Sequence, residues 1–387
     1  MSATSTKSSA AFKAVDANFR EVNEIFKALS LFSGAGGMDL GVLQAGFDIV
    51  CCVERDKFCC ETLRENISRA NNNTQVFHAD IKQIEPSDLN VGRIDLLFGG
   101  SPCQAFSLAG KKLSLKDERG ELLFEFIRFA RAVKPSAIMI EQVKGFLTAK
   151  DLTGKVGGVF DTFVTELENL GYVVKWQVMS ALEFGVAQKR ERIFLVALIH
   201  DKFNFPSPTH GKPGNLFLPP FKTVGEVIND LPPPKKKSDT TEIPEESHID
   251  VTPPRDKQRI HGVPEGKYLS SQSHLPKEQL GGLTRKDTTK FLRLDRNKPS
   301  NTLRGGEIFF HPVEDRYLTP REYMRIHGYP DDYILRGPIR GRSGTVKDLD
   351  QYRQVSNSVP PPLAKAVAEK IWEALSCQKS ANCSVIQ

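Results

Sequence analysis

One cysteine, one glutamate and a pair of arginines stand out, because each sits where an apolar run meets small or polar residues. Cys103 lies in Gly99-Gly100-Ser101-Pro102-Cys103-Gln104. Most cysteines are small core hydrophobes. The Gly, Ser, Pro and Gln around this one argue instead for a loop, where a thiol is accessible and can act as a nucleophile. No histidine lies close to it in the sequence, which speaks against a Cys-His hydrolase. Glu141 leaves the apolar run 137–140, placed to hold or donate a proton; a solvated acid at a strand end is the alternative. Arg190 and Arg192 occupy alternate positions of Gln188-Lys189-Arg190-Glu191-Arg192. In an extended segment both point the same way, which suits phosphate or carbonyl recognition, with ordinary surface charge as the alternative.

A second set of residues suggests a nucleoside-bearing ligand. The turn Ser33-Gly34-Ala35-Gly36-Gly37 follows an apolar run and permits close approach of backbone to ligand. Glu54 ends the next run, twenty residues after Gly34, where dinucleotide folds place the acid that binds ribose hydroxyls. Asp80 ends the third run. The turn departs from the G-x-G-x-x-G fingerprint, which disfavours a nicotinamide dehydrogenase. S-adenosylmethionine fits better, having a ribose but no pyrophosphate.

These residues need a scaffold that brings strand ends together. Runs 28–32, 48–53, 75–78, 94–98, 137–140 and 193–199 read as buried strands, and 38–45, 122–133 and 159–170 carry helical spacing. Such alternation predicts an α/β fold, a doubly wound, mostly parallel sheet covered on both faces. Ligands then sit outside the carboxyl ends of the strands, where all of the residues above fall. Residues 1–10 are Ser/Thr-rich and expected to be disordered. Phe12, Val15, Phe19, Val22, Phe26 and Leu29 predict an amphipathic helix after them. The expected divisions are an N-terminal extension (1–27), a catalytic and cofactor-binding domain (28–204), a smaller loop-rich domain (205–310), and a closing segment (311–387) whose last helix returns to the catalytic domain.

Composition narrows the partners. The chain of 387 residues has 39% hydrophobic and 26% charged residues, a balance of globular rather than disordered proteins. No apolar run approaches a membrane span, and no signal peptide is evident. Seven cysteines without CxxC pairs suggest neither disulfides nor zinc, and no metal is expected. The net charge of +6 is uneven: residues 255–304 hold twelve Lys/Arg against five Asp/Glu, and the remainder is near neutral. A basic stretch in a balanced protein suggests a polyanion such as nucleic acid.

Taken together the motifs resemble the cytosine-C5 DNA methyltransferases, in that family's order over about residues 28–375. LFSGAGGMDLG resembles the cofactor motif, VERD the ribose acid with Glu54, and HADI the adenine contact with Asp80. GGSPCQAFSLAG resembles the catalytic loop, DERGELLF the next block, and QKRER the paired arginines. RLDRNKPSNTLRGG, LTPREYMRIHGYPDDY and QVSNSVPPPLA resemble the closing motifs. The resemblance implies a Rossmann-like S-adenosylmethionine methyltransferase domain with a target-recognition domain over 205–310. It implies Cys103 as nucleophile on cytosine C6, Glu141 at N3, Arg192 at O2, and Arg190 positioning loop or phosphate. It implies S-adenosylmethionine held by Phe32, Ser33, Gly34, Gly36, Gly37, Glu54, Arg55, Asp80, Ile81, Gly100, Pro102, Leu122, Asn357, Ser358 and Val359. Gln104, Ser107, Lys111, Arg285, Lys286 and Lys290 become the candidate DNA contacts, the first three on a lid closing behind a flipped base.

Two departures are evident. Gln142 stands where the family usually has Asn, and the last motif reads SNSV rather than GNSV. The implied partner is duplex DNA, with a cognate restriction endonuclease as functional partner, and the chain is expected to be a monomer. Its expected location is the bacterial cytoplasm with the nucleoid, or the nucleus of a eukaryote. A tRNA methyltransferase of the same superfamily, which usually carries a Cys-Phe-Thr element absent here, and an inactive DNA-binding relative are the alternatives.

Overall fold

The computed structural model describes residues 25–68, 73–102, 118–200, 202–272, 276, 291–341 and 348–383. Strand and helix alternate through the first half: β1 (Lys27–Leu31), α1 (Gly37–Gln44), β2 (Asp48–Glu54), α2 (Lys57–Leu63), β3 (Gln75–His78), β4 (Leu96–Gly99), α3 (Glu118–Val133), β5 (Ala137–Gln142), α4 (Gly158–Asn169), β6 (Val173–Ser180) and β7 (Glu191–Leu198). The seven strands form one sheet in the order β3-β2-β1-β4-β5-β7-β6. β1 to β5 pair in parallel, and β7 runs antiparallel between β5 and β6. Alternate residues of a strand face opposite sides. Ala28, Leu96, Phe98 and Met139 accordingly enter one apolar layer, and Leu29, Leu31, Leu97, Ile138 and Ile140 the other. Burial on both faces is why these strands read as continuous apolar runs. The fold is the expected Rossmann-like, mostly parallel α/β sheet.

Two details differ from the sequence reading. β6 was not anticipated, because VVKWQVMS is an edge strand with Val173 and Trp176 exposed, so its apolar signal is broken by Lys175 and Gln177. The helical stripe ending at Leu29 does not reach that far. Phe26 lies outside any helix and Leu29 lies within β1, where burial in the sheet overrides helical spacing. Residues 12–24 of that stripe lie outside the described residues.

Beyond β7 the regular elements are short: α5 (Val224–Ile228), the two-residue strands β8 (Lys235–Lys236) and β9 (Ile249–Asp250), and α6 (Pro254–Ile260). Among the described residues three α-helices follow, α7 (Pro320–His327), α8 (Gln351–Asn357) and α9 (Pro361–Cys383). The first apolar layer of the sheet continues through Val224, Ile260, Leu294 and Tyr323 to Leu363 and Ile371. α9 lies against α1 so closely that a Cβ on Gly41 would sit 2.7 Å from the Pro361 carbonyl oxygen. Among the described residues no helix is long and apolar enough to cross a membrane.

A buried ion pair sets the start of α7. Arg316 donates from both terminal nitrogens to the two oxygens of Glu322, each at 2.8 Å. Glu322 also accepts the Thr319 amide at 2.7 Å, closing a capping box at the helix N-terminus. Replacing one partner of a buried pair strands the other's charge. Arg316→Met is therefore expected to lower unfolding stability by about 3–5 kcal/mol, read by urea denaturation.

Candidate active site

In the strand order the connections diverge between β1 and β4, so a crevice opens outside their carboxyl ends. Phe32 leaves β1 with a φ of 55°, a left-handed conformation costly for a bulky residue and characteristic of functional turns. Its ring packs on Phe126 of α3. The Ser33 and Ser30 hydroxyls pair at 2.8 Å. The Gly34 amide then donates to Glu54 Oε2 at 2.7 Å, while the Arg55 and Asp56 amides donate to Glu54 Oε1 at 2.8 and 2.7 Å. Glu54 thus clamps the turn, a role that sequence spacing did not reveal. Burial pushes its carboxyl above the ordinary value, against the pull of these amides. A carboxylate has about four lone-pair sites, so three amides leave acceptor capacity for a ligand hydroxyl.

Glycine is required in this turn for two different reasons. At Gly34, with φ of 56°, an added Cβ would meet nothing, so the backbone borders open space where a ligand can approach. Gly36 and Gly37 are instead closed against the C-terminal half of the chain. A Cβ on Gly36 would lie 2.5 Å from Tyr333 Oη, and one on Gly37 would collide with the Val359 carbonyl oxygen. Tyr333 Oη donates to the Ala35 carbonyl at 2.6 Å.

At the end of β3, Asp80 caps the helical turn Ile81–Gln83, accepting the Lys82 amide at 3.1 Å, and its other oxygen lies 3.6 Å from Arg55 Nη1. Ile81 and Leu122 are buried beside it in one apolar cluster. Open glycine backbone, a part-saturated acid, a half-exposed second acid and apolar walls fit the ribose and purine of an adenosyl cofactor.

Glu141 at the end of β5 and Arg192 at the start of β7 come together across the antiparallel pair. Arg192 Nε lies 2.8 Å from Glu141 Oε1, and both side chains are largely buried. Gly100 runs beneath, where a Cβ would sit 3.0 Å from Glu141 Oε2. Gln142, one methylene longer than the family's usual Asn, is buried and donates from Nε2 to the Ser101 carbonyl at 2.8 Å and the Ser101 hydroxyl at 2.7 Å. It therefore holds Ser101 and Pro102, the residues that lead into Cys103.

Arg190 does not accompany Arg192. It is buried, and its terminal nitrogens donate to the Ser356 and Ser358 carbonyls, each at 2.9 Å. Arg190 lies just before β7, so strand alternation does not keep the pair on one target. Ser358 also accepts His327 Nε2 at 3.0 Å, and Gln188 Nε2 donates to His327 Nδ1 at 2.9 Å. Burial, followed by the charge of Arg190, holds His327 well below its ordinary pKa, so the ring is neutral with its proton on Nε2. Asn357 ends α8 exposed, with Ser358 and Val359 against α1. Gln188, His327 and Tyr333 were missed as positioning residues, since buried aromatic and amide side chains read as core. Cys103, Gln104, Ser107, Lys111, Arg285, Lys286 and Lys290 lie outside the described residues.

The basic stretch 255–304 is less available than its sequence count suggests. Lys257, Arg293 and Arg304 pair with Asp250, Asp315 and Glu307, all outside that window. Arg259, Arg296 and Lys298 pair with Asp256, Glu265 and Asp295 within it. Among its described residues, the exposed Arg255 and Lys267 are better placed to meet phosphate.

The family model for C-5 cytosine-specific DNA methylase matches residues 26–373. The chain belongs to the C-5 cytosine-specific DNA methylases. Similar proteins include the Type II methyltransferases M.NgoFVII of Neisseria gonorrhoeae, 33% identical over 90% of this chain and 87% of that protein, and M.PspPI of a Psychrobacter strain, 34% identical over 92% and 81%. M.Eco47II of Escherichia coli is 33% identical over 91% and 80%. Among solved structures, the Entamoeba histolytica methyltransferase EhMeth covers 91% of this chain and 99% of its own, with a TM-score of 0.58 at 17% identity, a likeness of fold. The protein is thus a DNA cytosine-5 methyltransferase related to the enzymes of restriction–modification, and it uses a methyl donor.

Beneath the glycine turn of this methylase, Asp39 of α1 is fully buried and accepts the Cys52 thiol at 3.3 Å. Burial pushes its carboxyl from 3.8 to about 6. With the folded value above the unfolded one, the native state binds more protons between them, so this group lowers stability as pH rises from about 4 to 6. Asp39→Asn is expected to gain stability relative to the parent across that window, by roughly 3 kcal/mol at neutral pH, read by denaturant unfolding at successive pH values.

Proposed function

We propose that this methylase transfers the methyl group of S-adenosylmethionine to carbon 5 of a cytosine rotated out of duplex DNA, through a covalent bond between Cys103 and carbon 6. The observation that supports it most is the Glu141–Arg192 pair beside Ser101 and Pro102, which directly precede Cys103 in the chain. Carbon 5 of cytosine is a weak nucleophile. Addition of the Cys103 thiolate to carbon 6 makes an S–C bond and pushes the ring electrons toward N3, so that carbon 5 becomes enamine-like. Glu141 hydrogen-bonds or protonates N3 as that charge develops, and Arg192 holds O2. After methylation, loss of the carbon 5 proton to solvent water re-forms the C5–C6 double bond and expels the Cys103 thiolate, and a proton given to N3 returns to Glu141.

S-adenosylmethionine, when bound, supplies the methyl group on an electrophilic sulfonium. Glu54 would accept its ribose hydroxyls and Asp80 its adenine amino group, with Phe32, Ile81 and Leu122 on the purine. Ser33, Gly34, Gly36, Gly37, Arg55, Gly100, Pro102, Asn357, Ser358 and Val359 would form the remaining wall. Arg190 acts as a positioning residue, through the backbone of Ser356 and Ser358.

The reaction needs the base outside the stack, and Gln104, Ser107 and Lys111 are assigned to the loop that closes behind it. The segment 205–310 reads the site, with Arg285, Lys286 and Lys290 on phosphates. The Type II names of its relatives favour a modification role beside a restriction endonuclease; the enzyme is proposed to act as a monomer, in the cytoplasm of a bacterium or the nucleus of a eukaryote.

Duplex DNA with 5-fluorocytosine at the methylated position cannot release the enzyme, because fluorine does not leave as a cation. With S-adenosylmethionine, the protein is expected to stay on this DNA through denaturing electrophoresis, and Cys103→Ser to abolish the adduct. Cys51→Ser should retain it, since burial pushes that thiol up to about 12. An adduct formed without the Cys103 thiol would overturn the mechanism.

Reversing the charge of Arg285, Lys286 and Lys290 together is expected to flatten the salt dependence of DNA binding. The slope of log affinity against log salt should change by about 0.9 for each phosphate that is no longer neutralised, measured by titration at several salt concentrations. An unchanged slope would remove these residues from the DNA.

A further inference from the structure

The two most exposed large apolar side chains among the described residues are neighbours, Leu216 at 90% and Phe217 at 92%. They stand at the tip of a loop that is held rather than loose. Asn215 Oδ1 accepts the Phe217 and Leu218 amides at 2.8 and 3.1 Å, and the Asn215 amide donates to the Lys212 carbonyl at 3.0 Å. At the neck, the Gly211 amide donates to the Pro219 carbonyl and the Phe221 amide to the Gly211 carbonyl, at 2.9 and 3.0 Å. Pro213, Pro219 and Pro220 stiffen both arms.

The loop is rooted at the active-site edge of the sheet. The Thr209 and His210 amides both donate to the Glu183 carbonyl, at 2.8 and 3.0 Å. Glu183 lies in the helical turn Ala181–Phe184, and Ala181 donates to the carbonyl of Arg190, two residues before Arg192. Residues 209–222 contain Lys212 and Lys222 and no acid, so the loop's own formal charges are positive.

We infer that Leu216 and Phe217 form an apolar wedge that enters the base stack of the duplex DNA at or beside the target cytosine. The inference rests on the proposed DNA substrate. An apolar tip between lysines suits a partner with anionic rails around a stacked aromatic interior, because the lysines meet phosphates while the tip replaces base stacking. Its rigidity means that little order has to be imposed on binding. Unstacking beside the target lowers what remains to be supplied when the cytosine rotates out.

The test uses the full-length protein, its Leu216→Ala/Phe217→Ala variant, and a duplex oligonucleotide carrying a site mapped by bisulfite sequencing of DNA methylated by the parent enzyme. Both side chains are solvent-exposed, so the variant retains the fold, checked by its unfolding midpoint. The variant is expected to bind this duplex about tenfold more weakly, the loss of burying roughly one apolar side chain, with an unchanged salt slope. The defect should shrink when the target cytosine is mispaired, since that stack is already weakened, and 2-aminopurine beside the target should brighten less than with the parent. Equal affinity and equal brightening in a parent that methylates DNA would overturn the wedge alone. So would a parent dimer that the variant dissolves without loss of DNA binding, which would assign the tip to a second copy of the chain. A parent that neither binds nor methylates duplex DNA would overturn the proposed substrate as well.

Discussion

Two carbonyl groups at the end of α8 join the halves of this molecule. Helix C-termini leave carbonyl oxygens without intrahelical donors, and burying them unpaired is costly. Here the Ser356 and Ser358 carbonyls take both terminal nitrogens of Arg190, and Ser358 takes His327 as well. Arg190 enters β7, His327 ends α7, and Val359 closes on Gly37 at the start of α1. One cluster of hydrogen bonds thus sets the glycine turn, the strand carrying Arg192 and the C-terminal helices in one frame. Gln188 extends it by fixing the tautomer of His327 and by accepting the Leu303 amide.

Within that frame the side chains at the strand ends are held by their neighbours. Glu54 accepts the Gly34 amide of the glycine turn and the Arg55 and Asp56 amides beyond its own strand, so turn and acid order one another. Gln142 supports Ser101 through both its carbonyl and its hydroxyl, which shows how a residue longer than the usual Asn is accommodated without moving Glu141 from Arg192. Gly100 leaves the space beneath Glu141 that any side chain would invade.

Charge is distributed in the loop-rich region differently from what the sequence count suggests. Most described basic residues of 255–304 are neutralised by carboxylates, several from beyond that stretch, so they hold the loop-rich region together. Arg293, for example, is buried and donates to the Ile260 carbonyl as well as to Asp315. The exposed tip at Leu216 and Phe217 carries no charge at all, and composition alone gives it no significance.

Apolar runs by themselves determined the parallel strands of the sheet and put the glycine turn, Glu54, Asp80 and Glu141 at their carboxyl ends. These are legible because a parallel strand buried on both faces leaves a continuous apolar run, and its next residue must stand at the edge where ligands bind. β6 was not legible, because an edge strand alternates with solvent and mixes Lys175 and Gln177 among its apolar residues. Nor was the separation of Arg190 from Arg192, two residues apart in one motif. The first turns to carbonyls more than 160 residues away, the second to Glu141. Only the tertiary structure decides such partners, because a hydrogen bond depends on which groups packing brings within about 3 Å, and sequence distance does not encode that.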